Sequence, residues 1–362
     1  MEPEKRVEPL ELFFDLVFVF ALTQVTARMA DDLSWGGLLR GLLVFVAIWW
    51  AWAAYAWLTN EVDTRRAMVR LAIFGAMVAM LLASLAIPGA FESDALLFAC
   101  AYLGVRVLHP LLFAAGSEHV GVRHAARALL PTSTIAPALL IAASALDGVA
   151  QTAVWIGALA IDYVGGSTRG IEGWRLSPGH FTERHGLIVI IALGESIVAI
   201  GVGAAGLALG AGELAAAALG VVIAAALWWI YFDGTPERVE QRLHAADGRA
   251  RIVMARDAFS FVHLPLVAGI VLLALGVKKT LGDVDEQLKA VSAVALCAGA
   301  ALYLAADVAF RRRCLDALEP QRLAAAVACL AVLPIAIELP ALAALAAVAA
   351  ICAALVAYES AR

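Results

Sequence analysis

Apolar residues in this chain run in long blocks separated by short polar loops, without a regular polar stripe inside the blocks. A block needs about 20 residues to cross ~30 Å of hydrocarbon at ~1.5 Å per residue. Windows of that kind lie at 10–29, 36–59, 67–87, 93–115, 126–146 and 149–166, then at 185–206, 212–232, 254–276, 287–310, 321–338 and 341–358. The pattern predicts an all-α integral membrane fold with about 12 transmembrane helices. Only Glu338–Pro340 separates the last two windows, so one re-entrant hairpin is the alternative there.

Composition agrees with the pattern. Hydrophobic residues make up 63% of the chain and charged residues 16%, against about 45–50% and 25% in soluble domains. The N-terminal stretch MEPEKRVEP has mixed charge and no small-residue cleavage site, so the first window reads as an uncleaved span. Cys100, Cys297, Cys314, Cys329 and Cys352 lie far apart and mostly in apolar segments, which suggests small buried hydrophobes rather than disulfides or metal ligands.

Arginines sort the loops into two kinds. Arg65, Arg66 and Arg70, then Arg123 and Arg127, then Arg169, Arg175 and Arg184 fall in alternate loops. Arg238, Arg242, Arg249, Arg251 and Arg256, then Arg311, Arg312, Arg313 and Arg322, continue the series. The positive-inside rule then places both termini in the cytoplasm, with a bacterial inner membrane as the expected location.

The two halves look alike. Trp49 and Trp50 lie in the second window and Trp228 and Trp229 in the eighth, each pair followed by more aromatics and then an acid, while Glu11 opens the first window and Glu183 the seventh. This predicts two six-helix repeats, 1–170 and 171–362, meeting in the loop Gly165–His180. An interfacial aromatic belt is the plainer explanation of the tryptophans.

Chemistry is sparse and concentrated. Gly201, Gly203 and Gly206 match a dinucleotide-binding pattern but lack its strand and βαβ unit. Small residues four apart, Gly37 with Gly41 and Gly206 with Gly210, suit close helix approach. His180 and His185 lack the spacing of a zinc hydrolase pair, and His119 and His124 read as solvated loop residues. Asp15, His109, Asp162, His263 and Asp307 fall in the cytoplasmic half of their spans, with Arg106 and Glu195 nearer the midplane. A charge at the bilayer centre costs about 2.5–3.5 kcal/mol on insertion scales, so such groups persist by pairing or by lining a hydrated cavity. Arg106 is expected to pair with Glu195 or Asp15. Tyr102, Arg106 and His109 share a helix face, as do Arg256, Ser260 and His263, and Tyr303 with Asp307. The alternative role for these polar faces is interhelical glue. Glu11 and Asp15, four apart, divide into an interfacial helix cap and a cavity residue.

A bis-histidine haem on His109 and His263 is considered and set aside, because Pro110 and Pro265 follow them and a histidine satisfying a carbonyl at a kink explains both. No cofactor and no metal site is predicted.

Five segments carry a family resemblance: ELFFDLVFVFAL in the first window, NEVDTR after the second, HFTERHGLIVIIALGESIVAIG in the seventh, WWIYFD closing the eighth and FVHLPLVAGI in the ninth. Together they resemble the bacterial low temperature requirement A proteins over nearly the whole chain. The resemblance implies an integral membrane protein associated with growth in the cold, and no established reaction. It implies recurrent polar positions at Glu11, Asp15, Asp63, Arg65, Glu183, Arg184, Glu195, Asp233 and His263.

The leading expectation is a secondary transporter or ion-translocating protein whose protonatable site draws on Asp15, Glu195, Arg106, His109, His263, Asp162 and Asp307. Interfacial or gating roles fall to Glu11, Asp63, Arg65, Glu183, Arg184, Asp233, Arg256 and Asp257. A membrane enzyme acting on a lipid or isoprenoid from the cytoplasmic side is the alternative, and a structural or membrane-state sensor is the third reading. Expected partners are the lipid bilayer and an unidentified small solute or ion, with a homo-oligomer left open and nucleic acid not expected.

Overall fold

The computed structural model describes residues 5–168, 174–205 and 210–361; Arg169 and Gly206, named above, lie outside them. Every described element is a helix apart from one isolated antiparallel bridge between Gln287 and Pro340. The order is α1 (Pro9–Asp31), α2 (Trp35–Glu61), α3 (Ala67–Leu85), α4 (Ala95–Gly116), α5 (Val120–Ala143), α6 (Gly148–Thr168) and α7 (Pro178–Ala204). There follow α8 (Ala211–Phe232), α9 (Thr235–Ala245), α10 (Gly248–Ala255), a π-helical segment (Arg256–Val262), α11 (His263–Gly282), α12 (Ala290–Leu315), α13 (Pro320–Ala336) and α14 (Ala341–Ser360).

Each apolar window falls on helix, and among the described residues 10 helical stretches are long and apolar enough to cross a membrane. Proline marks several starts, because its missing N–H is unsatisfied there anyway: Pro9, Pro178 and Pro320 each open a helix. The turn between α13 and α14 breaks the last windows into two helices, and Gln287 anchors it by donating its amide to the Glu338 carbonyl at 3.1 Å. At 17 residues, α13 lies at the lower limit for a crossing.

The chain forms two compact units. The first takes in residues up to Arg28, Leu39–Arg184 and Leu243–Ala255; the second takes in Met29–Leu38, His185–Arg242 and everything from Arg256 on. Helix α7 is thus shared, its first turns belonging to the first unit.

In the first unit, α3 to α6 pack as successive neighbours. Their core is aromatic: Phe98, Tyr102 and Trp155 are buried together, as are Phe14, Phe18, Trp52 and Tyr55 on α1 and α2. In the second unit, α11 to α14 pack in sequence and α8 closes against α14. The tightest approach there is α11 on α12, where a Cβ added at Gly276 would stand 2.6 Å from the Leu296 Cα and one at Gly299 would stand 2.7 Å from the Leu273 nitrogen. Only glycine permits that backbone contact. At the glycines the sequence singled out, Gly37 crowds only Asp32 nearby in the chain, and Gly210 precedes α8, its backbone N–H donating to Glu213 at 2.9 Å.

The two tryptophan pairs differ in setting. Trp49 is buried, whereas Trp228 and Trp229 stand 45% and 44% exposed, facing outward with the leucines and valines of a lipid-facing surface.

Candidate functional site

Helix α1 presents Glu11 and Asp15 one turn apart, and α7 presents His180 and Arg184 with the same spacing. The two pairs interlock in the first unit, with all four side chains at most 1% exposed. The Arg184 guanidinium donates through Nη1 to Asp15 and to the Glu11 backbone carbonyl (3.1 Å), and its Nε lies 3.4 Å from Glu11 Oε2. Its Nη2 has no hydrogen-bond partner among the described residues. The Trp52 indole donates to Asp15 Oδ1 at 2.8 Å, and its ring lies 5.7 Å from the Arg184 Cζ, a cation–π distance.

His180 is fixed by its neighbours. The Ser177 N–H donates to Asn60 Oδ1 at 3.0 Å and the Asn60 amide nitrogen donates to the Ser177 carbonyl at 3.2 Å, which orients that amide. The same nitrogen lies 3.0 Å from His180 Nδ1, which must therefore accept. The ring proton is then on Nε2, which donates to Glu11 at 2.9–3.0 Å. His180 is a neutral donor to a carboxylate, so the core of the cluster holds two carboxylates against one guanidinium.

The chain before α1 completes the surroundings. Lys5 donates to the carbonyls of Thr59 (2.5 Å), Val62 (2.8 Å) and Asn60 (3.3 Å) at the end of α2. Burial lowers its pKa from the usual lysine value, against the opposing pull of Glu11, Glu8, Asp63 and Glu61. Glu183 accepts from the Val7 N–H at 3.1 Å, and Glu8 holds Thr64 and Arg65. Lys5, Asn60, Asp63, Arg65, Arg175 and Ser177 are among the lining of a solvent-open cleft of about 800 Å³.

Glu11 is therefore not only an interfacial cap. It does cap α1, accepting the Glu8 N–H at 3.2 Å, but it is buried beside Asp15 and shares the same guanidinium. The expected partners of Arg106 are also corrected: it pairs with Asp162 of α6 at 2.5 Å, and Tyr102 donates to the same carboxylate at 3.4 Å. Asp15 is held by Arg184 and Trp52 instead. His109, on the same face of α4, is buried between the rings of Tyr55 and Phe113.

The second unit has its own polar networks. Arg322 on α13 grips Glu359 with two bonds (2.8 and 2.7 Å), reaches Asp307 at 2.5 Å and donates to the Ile230 carbonyl at 2.9 Å. Arg311 adds a bond to the same carbonyl at 3.0 Å. His263 donates from Nδ1 to the Ala258 carbonyl (2.9 Å) and accepts the Tyr231 hydroxyl on Nε2 (2.9 Å). It satisfies a carbonyl, and both ring nitrogens are hydrogen-bonded. Arg256, Ser260 and His263 do not share one face, because the π-helical segment breaks the i, i+4, i+7 spacing. Arg256 instead pairs with Asp257, which also accepts two bonds from Arg313. Glu195 is buried on α7, and Asp233 is exposed at the end of α8.

Sequence reading missed His180, Asn60, Trp52, Arg322 and Glu359. One available signal was the matched spacing: an acidic i, i+4 pair on α1 answered by His180 and Arg184, also i, i+4, on α7.

A family model described as "Bacterial low temperature requirement A protein (LtrA)" matches residues 6–357. The chain belongs to the LtrA family. This LtrA protein is also 30% identical over 313 residues to a Rhizobium meliloti (strain 1021) protein named "Uncharacterized protein RA0937", an alignment covering 83% of this chain and 76% of the relative. The Glu11–Asp15 and His180–Arg184 pairs both fall inside the LtrA match.

Proposed function

We propose that this LtrA protein is a secondary transporter or ion-translocating protein, and that the Glu11, Asp15, His180 and Arg184 cluster is its proton-binding site. One observation carries the reading. Two carboxylates share one guanidinium inside a membrane-spanning bundle, with a neutral histidine donating to one of them and the guanidinium Nε and Nη2 both without a hydrogen-bond partner among the described residues. Such a cluster gains a balanced charge by taking up one proton, and releasing that proton restores the ionised arrangement. Buried unsatisfied donors are rare in folded proteins, and each calls for an explanation.

The wider architecture proposed with it is twelve spans in two parallel six-helix repeats, with cytoplasmic termini in a bacterial inner membrane. Support comes from the alternating arginine loops and from a parallel between the halves. Tyr102 with Arg106 on α4, and Tyr303 with Asp307 on α12, each stand four apart, and each charge is met from a later helix of its half, by Asp162 and by Arg322 respectively. The charges are exchanged between the halves.

The test is reconstitution in liposomes carrying a pH-sensitive dye. Wild type should move protons, alone or with a co-solute, and Asp15→Asn and Glu11→Gln should each cut that flux at least about tenfold while eluting as folded protein. Flux that survives both substitutions, or wild type that moves no proton, ion or solute, overturns the proposal.

A further inference from the structure

We infer that Asn60 is a latch that decides when His180 can take a proton from the solvent-open cleft and pass one to Glu11. The inference rests on reading the cluster as a proton site. Asn60 stands where cleft and cluster meet: it lines the cleft together with Lys5 and Ser177, and its amide nitrogen covers His180 Nδ1 at 3.0 Å. The opposite edge of the imidazole donates to Glu11. His180 thus bridges two environments through its two nitrogens, the geometry of a proton relay.

In the arrangement described the relay is shut. Ser177 clamps both ends of the Asn60 amide through its backbone N–H and carbonyl, so the group facing Nδ1 is always a donor. A nitrogen that accepts from an amide cannot at the same time receive a proton from water. An amide is also a poor carrier of protons itself, since passing one on requires its imidic acid form. The latch must therefore lift, and the strap that holds it is the non-helical chain at Ser177, just ahead of α7.

With the amide lifted, the step balances. A hydronium ion in the cleft gives its proton to Nδ1, forming an N–H bond there. The Nε2–H bond breaks, and that proton passes to a Glu11 oxygen. His180 ends neutral in the other tautomer, Glu11 ends neutral, and water remains in the cleft. Arg184 then keeps Asp15 as its only carboxylate. The charged groups around the ring are Glu11 on α1, Arg184 on α7 and Lys5 in the chain before α1, the last donating to the Asn60 backbone carbonyl at 3.3 Å.

The experiment is 15N NMR of the full chain labelled at histidine, in lipid nanodiscs, with the His180 signals identified by difference against His180→Gln. Wild type should show His180 carrying its proton on Nε2 alone. In Asn60→Asp a carboxylate replaces the donor at Nδ1, so the ring should hold protons on both nitrogens at the pH where wild type holds one. In Asn60→Ala the tautomers should exchange, and proton permeation through proteoliposomes should rise about tenfold, the factor matching ~1.4 kcal/mol of lost restraint. A wild-type ring protonated on Nδ1 overturns the inference. So does an Asn60→Ala ring that stays locked on Nε2, or an Asn60→Asp ring that keeps one proton. Protons that fail to cross in any variant, with the NMR results as expected, refute the transport reading and leave the latch standing; flux in wild type unchanged in Asn60→Ala does the reverse.

Discussion

Arg106 and Asp162 provide a direct test of how buried charges are held in this protein. Both side chains are buried, at 4% and 1% exposure, and they meet at 2.5 Å with no second carboxylate or guanidinium bonded to either among the described residues. Removing one partner leaves the other charged in a site that cannot hydrate it, which costs about 3–5 kcal/mol. Arg106→Met and Asp162→Leu should each destabilise by that amount. The double variant should recover most of the loss, because two apolar groups of similar volume replace an ion pair at little cost or even with a gain. The coupling energy should therefore be at least ~2 kcal/mol, near the upper end for residues in contact. Unfolding by SDS in mixed micelles measures all three variants against wild type. Single substitutions costing under ~1 kcal/mol, or a double variant costing the sum of the singles, would refute the argument and imply that water reaches the pair.

Two further outcomes follow from the packing and the amino-terminal segment. Gly276→Val should lower stability by ~1–3 kcal/mol or more, since its side chain meets the Leu296 backbone rather than a movable side chain, and the same unfolding assay reads it. Lys5 titrates lower when folded than when unfolded, because burial disfavours its ammonium. Between those two values the unfolded chain binds more protons, so stability should rise with pH on the alkaline side below 10.5, by at most ~1.4 kcal/mol per unit. Lys5→Met should remove that slope, visible in unfolding curves taken across pH 8–10.

The helices were legible in the sequence because hydrocarbon enforces them: each apolar window had to satisfy its own backbone, and each is helical. Pairing was less legible. Asp15 and Arg184 were singled out, yet Arg106 was assigned to partners it does not have. Depth along a span can be read from residue number, whereas the neighbour at that depth depends on how the helices are arranged around one another, which hydropathy does not encode. His180 was judged only as half of a metal pair, and its role depends on Asn60, whose significance appears only once the Ser177 backbone is in place. Arg322 and Glu359 stand near the ends of short C-terminal helices, where charges look solvated by default. Their mutual grip is visible only in three dimensions.

The π-helical turn at Arg256–Val262 has a consequence for how this polypeptide tolerates change in length. A π turn accommodates one residue more than the α-helix it interrupts. The chain on either side is therefore set in two angular frames, with Arg256 and Asp257 turned toward Arg313 in one and His263 turned toward Tyr231 in the other. Straightening the turn into regular α-helix at unchanged length would sweep every side chain on one side around the axis by about 100°, the angle per residue at ~3.6 residues per turn, whereas losing one residue inside it would restore α-helix with both sides still in phase. The surplus residue is a setting of phase: it lets one continuous membrane helix aim two polar groups in directions that an uninterrupted helix would not allow.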